Sequence, residues 1–238
     1  MSTVRPFHTS AGVFAAAREH FLARARVSIA GRGRFDVVLS GGRTPEAVYK
    51  SLAESELEWR KVHVWFGDER CVPPVHADSN YRMVRDALLS KVAIPDANVH
   101  RMHGELDAYR AAEEYESELR ETLELADGEF PRFDLALMGM GPDGHTASLF
   151  PGTPALVEEQ ALCVGTWVEK LKAYRITLTL PVFDNAADVL FLACGADKAP
   201  ALKLATADEV GPQTPPAGLV RPKNGELVWF VDAAAGSG

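Results

Sequence analysis

Cysteine is scarce in this chain of 238 residues. Its three cysteines, Cys71, Cys163 and Cys194, are widely spaced, odd in number and form no C-x-x-C pair. That pattern argues against a disulfide framework and favours a reducing compartment. Long apolar runs are lacking as well. No stretch approaches the roughly 20 apolar residues that a membrane helix needs. Residues 1–10 carry no apolar segment of the secretory kind. A membrane partner is therefore set aside, and the cytoplasm is the expected compartment. Basic residues are in deficit, with 25 Lys and Arg against 33 Asp and Glu and a net charge of −8. A nucleic-acid partner calls for the opposite balance. An anionic small substrate is still compatible, provided that its site is locally positive. Two catalytic signatures are missing too. There is no G-x-S-x-G nucleophile elbow, and the histidines outside one loop (His8, His20, His63, His76, His100 and His103) show no zinc spacing.

What is present is an ordinary globular composition, 47% hydrophobic and 24% charged, enough for a sizeable core. Phe14, Ala17, Phe21, Ala25 and Ile29 recur at helical spacing and predict a helix over 10–30. Residues 35–39, 62–66, 133–138 and 189–193 are apolar runs of strand length. The stretch 175–180 alternates with period two, as a strand with one wetter face does, and 226–231 reads as a last strand. Helices are predicted over 45–53 with Thr44 as N-cap and Pro45 in the first turn. Further helices follow from Asp78 or Ser79 to about 91, over 107–125, and from Asp197 or Lys198. Residues 211–224 read as loop and 233–238 as a frayed tail. Strands alternating with helices predict an α/β fold, a mostly parallel Rossmann-like sheet with helices on both faces. No linker divides it, so 1–238 is expected to be one domain.

Four of the apolar strands stop at a polar loop that contains glycine, and in such sheets ligands bind beyond the carboxyl ends of the strands. In Ser40-Gly41-Gly42-Arg43-Thr44-Pro45 the glycines let backbone amides approach an anion at a helix start. A tight turn with a cap accounts for the same residues. Gly67-Asp68-Glu69-Arg70 places two acids and an arginine where they could orient a polar substrate, or form only a surface ion cluster. The stretch from Gly139 to Pro151 contains G-x-G-x-x-G, which invites a dinucleotide. No acid ends a recognisable strand about 20 residues on, as that reading requires. Asp143-Gly144-His145 is more informative. A histidine at a loop-to-helix junction is kept neutral by helix amides, as a general base must be, and Asp143 could hold its ring. A capping aspartate beside an incidental histidine is the plain alternative. Lys198 at a helix start suits an anion, and Arg175 opens a strand on its polar face. Both could equally be solvated charges.

Together these strings resemble the glucosamine-6-phosphate isomerase/6-phosphogluconolactonase family. The resemblance runs through Leu39-Ser40-Gly41-Gly42-Arg43-Thr44-Pro45, Gly67-Asp68-Glu69-Arg70 with Ser79-Asn80, the loop from Gly139 to Pro151, and Arg175-Ile176-Thr177-Leu178-Thr179. The ending Ser148-Leu149-Phe150-Pro151 is similar to the lactonase branch. The resemblance implies the fold of glucosamine-6-phosphate deaminases and neither metal nor organic cofactor. It implies hydrolysis of 6-phospho-D-glucono-1,5-lactone, a step of the oxidative pentose phosphate pathway. His145 would be the base and Asp143 its support. Ser40, Gly41, Gly42, Thr44, Arg175 and Lys198 would hold the phosphate, and Asp68 and Arg70 would face the substrate. Arg43 departs from the small polar residue usual there, though a cation suits a phosphate loop. The alternatives are a deaminase of glucosamine 6-phosphate and a non-catalytic phosphosugar-binding module.

Overall fold

The computed structural model describes residues 2–237. Strand β1 (Thr3–Phe7) leads into α1 (Ser10–Arg32), β2 (Phe35–Leu39), α2 (Arg43–Leu52), β3 (Val62–Phe66) and β4 (Asp68–Arg70). Then come α3 (Asn80–Ala87), β5 (Val99–His100), α4 (Ala108–Thr122), β6 (Leu135–Gly139), β7 (Cys163–Val168) and β8 (Ala173–Leu178). The chain closes with α5 (Leu180–Asp184), β9 (Asp188–Ala193), α6 (Ala199–Ala205), α7 (Pro216–Leu219) and β10 (Glu226–Asp232). Seven strands form one sheet in the order β1-β10-β9-β6-β2-β3-β5, and every adjacent pair in it is parallel.

The buried strands β2, β6 and β9 carry apolar residues on both faces, as a sheet covered on both sides requires. Val37, Leu39, Val64, Leu137 and Leu190 pack with Val13, Phe21, Val48 and Val84 of α1, α2 and α3. Val38, Trp65, Ala136, Met138 and Phe191 turn the other way, toward Tyr115 and Leu119 of α4 and Ala201 of α6. Full burial of a Leu or Phe side chain is worth about 1.5–3 kcal/mol. These two faces, more than helix propensity, hold the layers together.

Several expectations need correction. Residues 175–180 do not join the main sheet. Strand β8 ends at Leu178 and lies in a second, antiparallel sheet of order β4-β8-β7. The strand β4 after Gly67 is only three residues long, too short to show a period. Thr44 is not the N-cap of α2. The helix begins at Arg43, and the cap is Gly42 at φ 108, backbone that an L side chain rarely adopts. Part of the loop 211–224 forms α7. Up to Ser237 the tail is not frayed, because Ala235 is buried and its amide donates to Asp232 Oδ1 at 2.8 Å; Gly238 lies outside the described residues.

Candidate active site

Strand β2 stands between β3 and β6. The chain moves from β2 toward β3 and β5 on one side and returns through β6 to β9 and β10 on the other. This reversal opens a crevice at the carboxyl ends of the strands. A cavity of ≈ 250 Å³ occupies it, lined by the loops after β2, β3, β6 and β9. Sequence-distant residues meet there, among them Ser40, Arg43, Asp68, Arg70, His145 and Lys198.

The loop after β2 is built to leave donors free. Tyr49 of α2 grips it from behind, accepting from Ser40 N at 3.0 Å and donating to Ser40 O at 2.8 Å. The Ser40 hydroxyl is buried without a partner among the described residues. No side chain caps α2 at Gly42. The first amides of α2 therefore keep the unsatisfied donors and partial positive charge of a helix start. Gly41, Gly42 and Thr44 all line the cavity here.

His145 lines the cavity with its ring closely packed. Its ring stacks on Phe150 with centroids 4.2 Å apart and planes 20° from parallel. Gly141 also lies close by, where a Cβ would meet the ring at 2.1–2.2 Å. The expected helix after the loop is not there. Residues 143–153 form turns and one Thr146–Leu149 bridge, so no helix amides act on the imidazole. Side chains hold the ring instead. Asp143 Oδ1 accepts from His145 Nδ1 at 2.5 Å, which places the proton of the neutral ring on Nδ1. Nε2 carries no hydrogen bond among the described residues. Lys170 Nζ donates to Asp143 Oδ2 at 2.7 Å. Burial alone would raise the Asp143 carboxyl, but the bonds from Lys170 and His145 outweigh it and hold the group below the usual carboxylate range.

The other acids divide. Asp68 is buried but lines the cavity. Its Oδ2 accepts from Ser148 Oγ at 2.7 Å and its Oδ1 from Asn80 Nδ2 at 3.1 Å, which ties the start of β4 to the loop after β6 and to α3. Glu69 is structural. It accepts from Asn80 N, Tyr81 N, Ser79 Oγ and its neighbour Arg70 N at 2.7–3.0 Å, anchoring the start of α3.

The cations form two groups. Arg43 and Lys198 share the first cavity with the α2 start. Arg175 does not. It lines an adjoining cavity with Arg70, Lys170 and His145, and Arg70 and His145 belong to both. Burial and the nearby Arg70 guanidinium lower the Arg175 pKa from its ordinary value. Lys170 escaped the sequence reading because it lies on the β7–β8 hairpin, in no motif. Ser148 and Asn80 sit inside quoted strings, but nothing in their spacing shows that both bind Asp68.

A family model described as glucosamine-6-phosphate isomerases/6-phosphogluconolactonase matches residues 8–229. A 6-phosphogluconolactonase of Synechocystis is 46% identical over 211 residues, 88% of this chain and 86% of the relative. One from Nostoc is 41% identical over 238 residues, covering 99% and 97%. Among solved structures, the 6-phosphogluconolactonase of Trypanosoma brucei superposes with a TM-score of 0.91 at 29% identity, covering 100% of this chain and 98% of that one. A monomeric glucosamine-6-phosphate deaminase shares the fold, with a TM-score of 0.81 at 17% identity and 99% of each chain covered.

Proposed function

The chain belongs to the family of glucosamine-6-phosphate isomerases and 6-phosphogluconolactonases, and from that premise we propose that it hydrolyses 6-phospho-D-glucono-1,5-lactone, with His145 as the general base. The reaction is a carboxylic ester hydrolysis and a step of the oxidative pentose phosphate pathway. The observation that carries the assignment of the base is the His145–Asp143 pair. Nδ1 is engaged at 2.5 Å, Nε2 carries no hydrogen bond among the described residues, and His145 lines both of the cation-bearing cavities. Three free cysteines suit a reducing, cytoplasmic setting.

A lactone carbonyl is electrophilic, so water needs only modest activation. His145 Nε2 takes a proton from water as its oxygen attacks C1, while Asp143 holds the ring and balances the imidazolium. The carbonyl oxygen becomes an oxyanion, for which Arg70 or loop amides supply donors. As the intermediate collapses, the C1–O5 bond breaks and His145 returns the proton to O5, leaving the open-chain acid. General base catalysis of this kind is worth about 10²–10⁴-fold.

The 6-phosphate is anchored by the amides at the α2 start, the Ser40 hydroxyl, Lys198 and Arg43. Support for this comes from the absent side-chain cap at Gly42 and the orphaned Ser40 hydroxyl. Arg70, common to both cavities, spans from this anchor to the reacting end, and Arg175 adds charge beside it. Binding a remote phosphate helps to orient the reacting carbonyl.

The test is a stopped-flow assay on freshly generated 6-phosphoglucono-1,5-lactone, corrected for spontaneous hydrolysis, with His145→Ala alongside. The wild-type protein is expected to consume lactone rapidly. The variant should be slower by at least about 100-fold with an unchanged circular dichroism spectrum. No acceleration by folded wild-type protein sinks the lactonase reading, and ammonia release from glucosamine 6-phosphate would then favour the deaminase.

A further inference from the structure

The Asp143 carboxylate has two oxygens with separate duties. Oδ1 takes both His145 contacts, the ring Nδ1 at 2.5 Å and the backbone amide at 3.3 Å. Oδ2 takes a single side chain, Lys170, at 2.7 Å. Lys170 comes from 27 residues further along the chain, on the turn Glu169–Leu171 that joins β7 to β8. That turn is braced: Trp167 Nε1 donates to Glu169 Oε2 at 2.7 Å, Lys172 Nζ contacts Glu169 Oε1, and Lys172 N donates to Glu169 O at 3.2 Å. Phe150 stacks on the ring, and Gly141 lies so close that it leaves no room for a Cβ beside it. What they leave adjustable is the grip and charge of Asp143.

We propose that Lys170 is a positioning residue for His145, acting through Asp143. The inference rests on the reading of His145 as the base. A carboxylate hydrogen-bonded to an imidazole makes the ring more basic, and a lysine on the far oxygen draws charge away and tempers that effect. Lys170 thus fixes the carboxylate from its far oxygen and keeps it from rotating off Nδ1. The other charges facing this ring, Asp68, Arg70 and Arg175 in the adjoining cavity and Lys198 across the first, do not touch Asp143, so removing Lys170 leaves no substitute.

The experiment compares wild type, Lys170→Met and Lys170→Arg by two readouts. The first needs no turnover. The titration of the His145 Cε1 proton is followed by NMR, with the signal assigned by its loss in His145→Ala. In Lys170→Met the midpoint is expected to rise by about half a unit to one unit, a modest value because Lys170 is largely exposed and screened. Lys170→Arg should restore the wild-type midpoint. The second readout is lactone hydrolysis. In Lys170→Met, kcat should fall about three- to tenfold near neutral pH, the acid limb of the kcat profile should move upward, and KM should hold. An unmoved midpoint overturns the proposal, whatever the assay gives. A raised KM with unchanged kcat overturns it as well, because Lys170 would then contact substrate instead. If folded wild-type protein does not accelerate lactone loss, the lactonase reading fails separately, while the NMR arm still decides whether Lys170 tunes the ring.

Discussion

Arg70 of β4 and Arg175 of β8 are direct partners in an antiparallel ladder, and both cationic side chains line one cavity with His145. Like charges directly opposite one another are destabilising, and burial with the nearby Arg70 charge lowers the Arg175 pKa. An anion between them would relieve the repulsion. Inorganic phosphate should therefore raise the thermal midpoint of wild-type protein, and Arg175→Met should weaken that response. In the lactone assay the same variant should raise KM about 10–100-fold, the equivalent of one charge-assisted hydrogen bond of about 1.5–3 kcal/mol. An unaltered KM would remove Arg175 from the substrate's surroundings.

Gly141 gives a cleaner handle on the base than any change to the histidine itself. A Cβ there would overlap the His145 ring and approach Asp143 Oδ1 at 2.9 Å. Gly141→Ala should displace the ring and lower kcat by about tenfold or more, a typical penalty for misplacing a catalytic group by an ångström or so. The urea midpoint should shift little, because the contact lies at a cavity wall rather than in the core. A kinetically normal Gly141→Ala protein would mean that the ring position seen here is not required for turnover.

How much of this was legible in sequence depends on which physics marked each part. The apolar runs that became β2, β3, β6 and β9 announced a buried parallel sheet, because such strands carry no polar alternation. Their polar ends therefore located the crevice. The antiparallel sheet was hidden: β4 has three residues, and β7 is interrupted by Gly165 against the backbone of Ala108, so neither shows a period long enough to read. Asp143 and His145 stood in one loop and could be paired on sight. Their support could not, since Lys170 reaches Asp143 only through the fold of a hairpin. Glu69 was misleading for the opposite reason. It sits in an acidic string beside Asp68, but its backbone position turns it to the start of α3 and away from the cavity.

That role for Glu69 can be tested directly. Every hydrogen bond its carboxylate makes is one that it accepts: from three backbone amides and the Ser79 hydroxyl. Glu69→Gln would put an NH₂ group against donors and leave at least one buried amide unpaired. The expected cost is about 2–4 kcal/mol of folding stability by urea denaturation. Variant protein that remains folded should bind and turn over lactone with a nearly normal KM. A large KM change without loss of stability would return Glu69 to the substrate site.

The last prediction concerns acid stability, at a distance from the crevice. His63 Nδ1 lies 3.2 Å from His100 Nε2, and His100 Nδ1 lies 2.6 Å from Glu118 Oε1, while His100 stacks on the buried Trp65 with centroids 3.8 Å apart. Burial pushes the His63 imidazole down to about 4, with Arg34 and His100 adding to the effect and Asp36 opposing it. In the unfolded chain the same ring takes up its proton near the ordinary value of about 6.5. Between these limits the unfolded state binds the extra proton and the native state does not, so stability falls as pH falls from about 6.5 toward 4. Above about 6.5 both states are neutral and His63 contributes no pH dependence. Urea midpoints measured at intervals across that window should decline less steeply for His63→Asn than for wild type, since asparagine can keep a donor toward His100 but cannot titrate. Parallel curves for the two proteins would show that the acid sensitivity arises elsewhere, among the carboxylates.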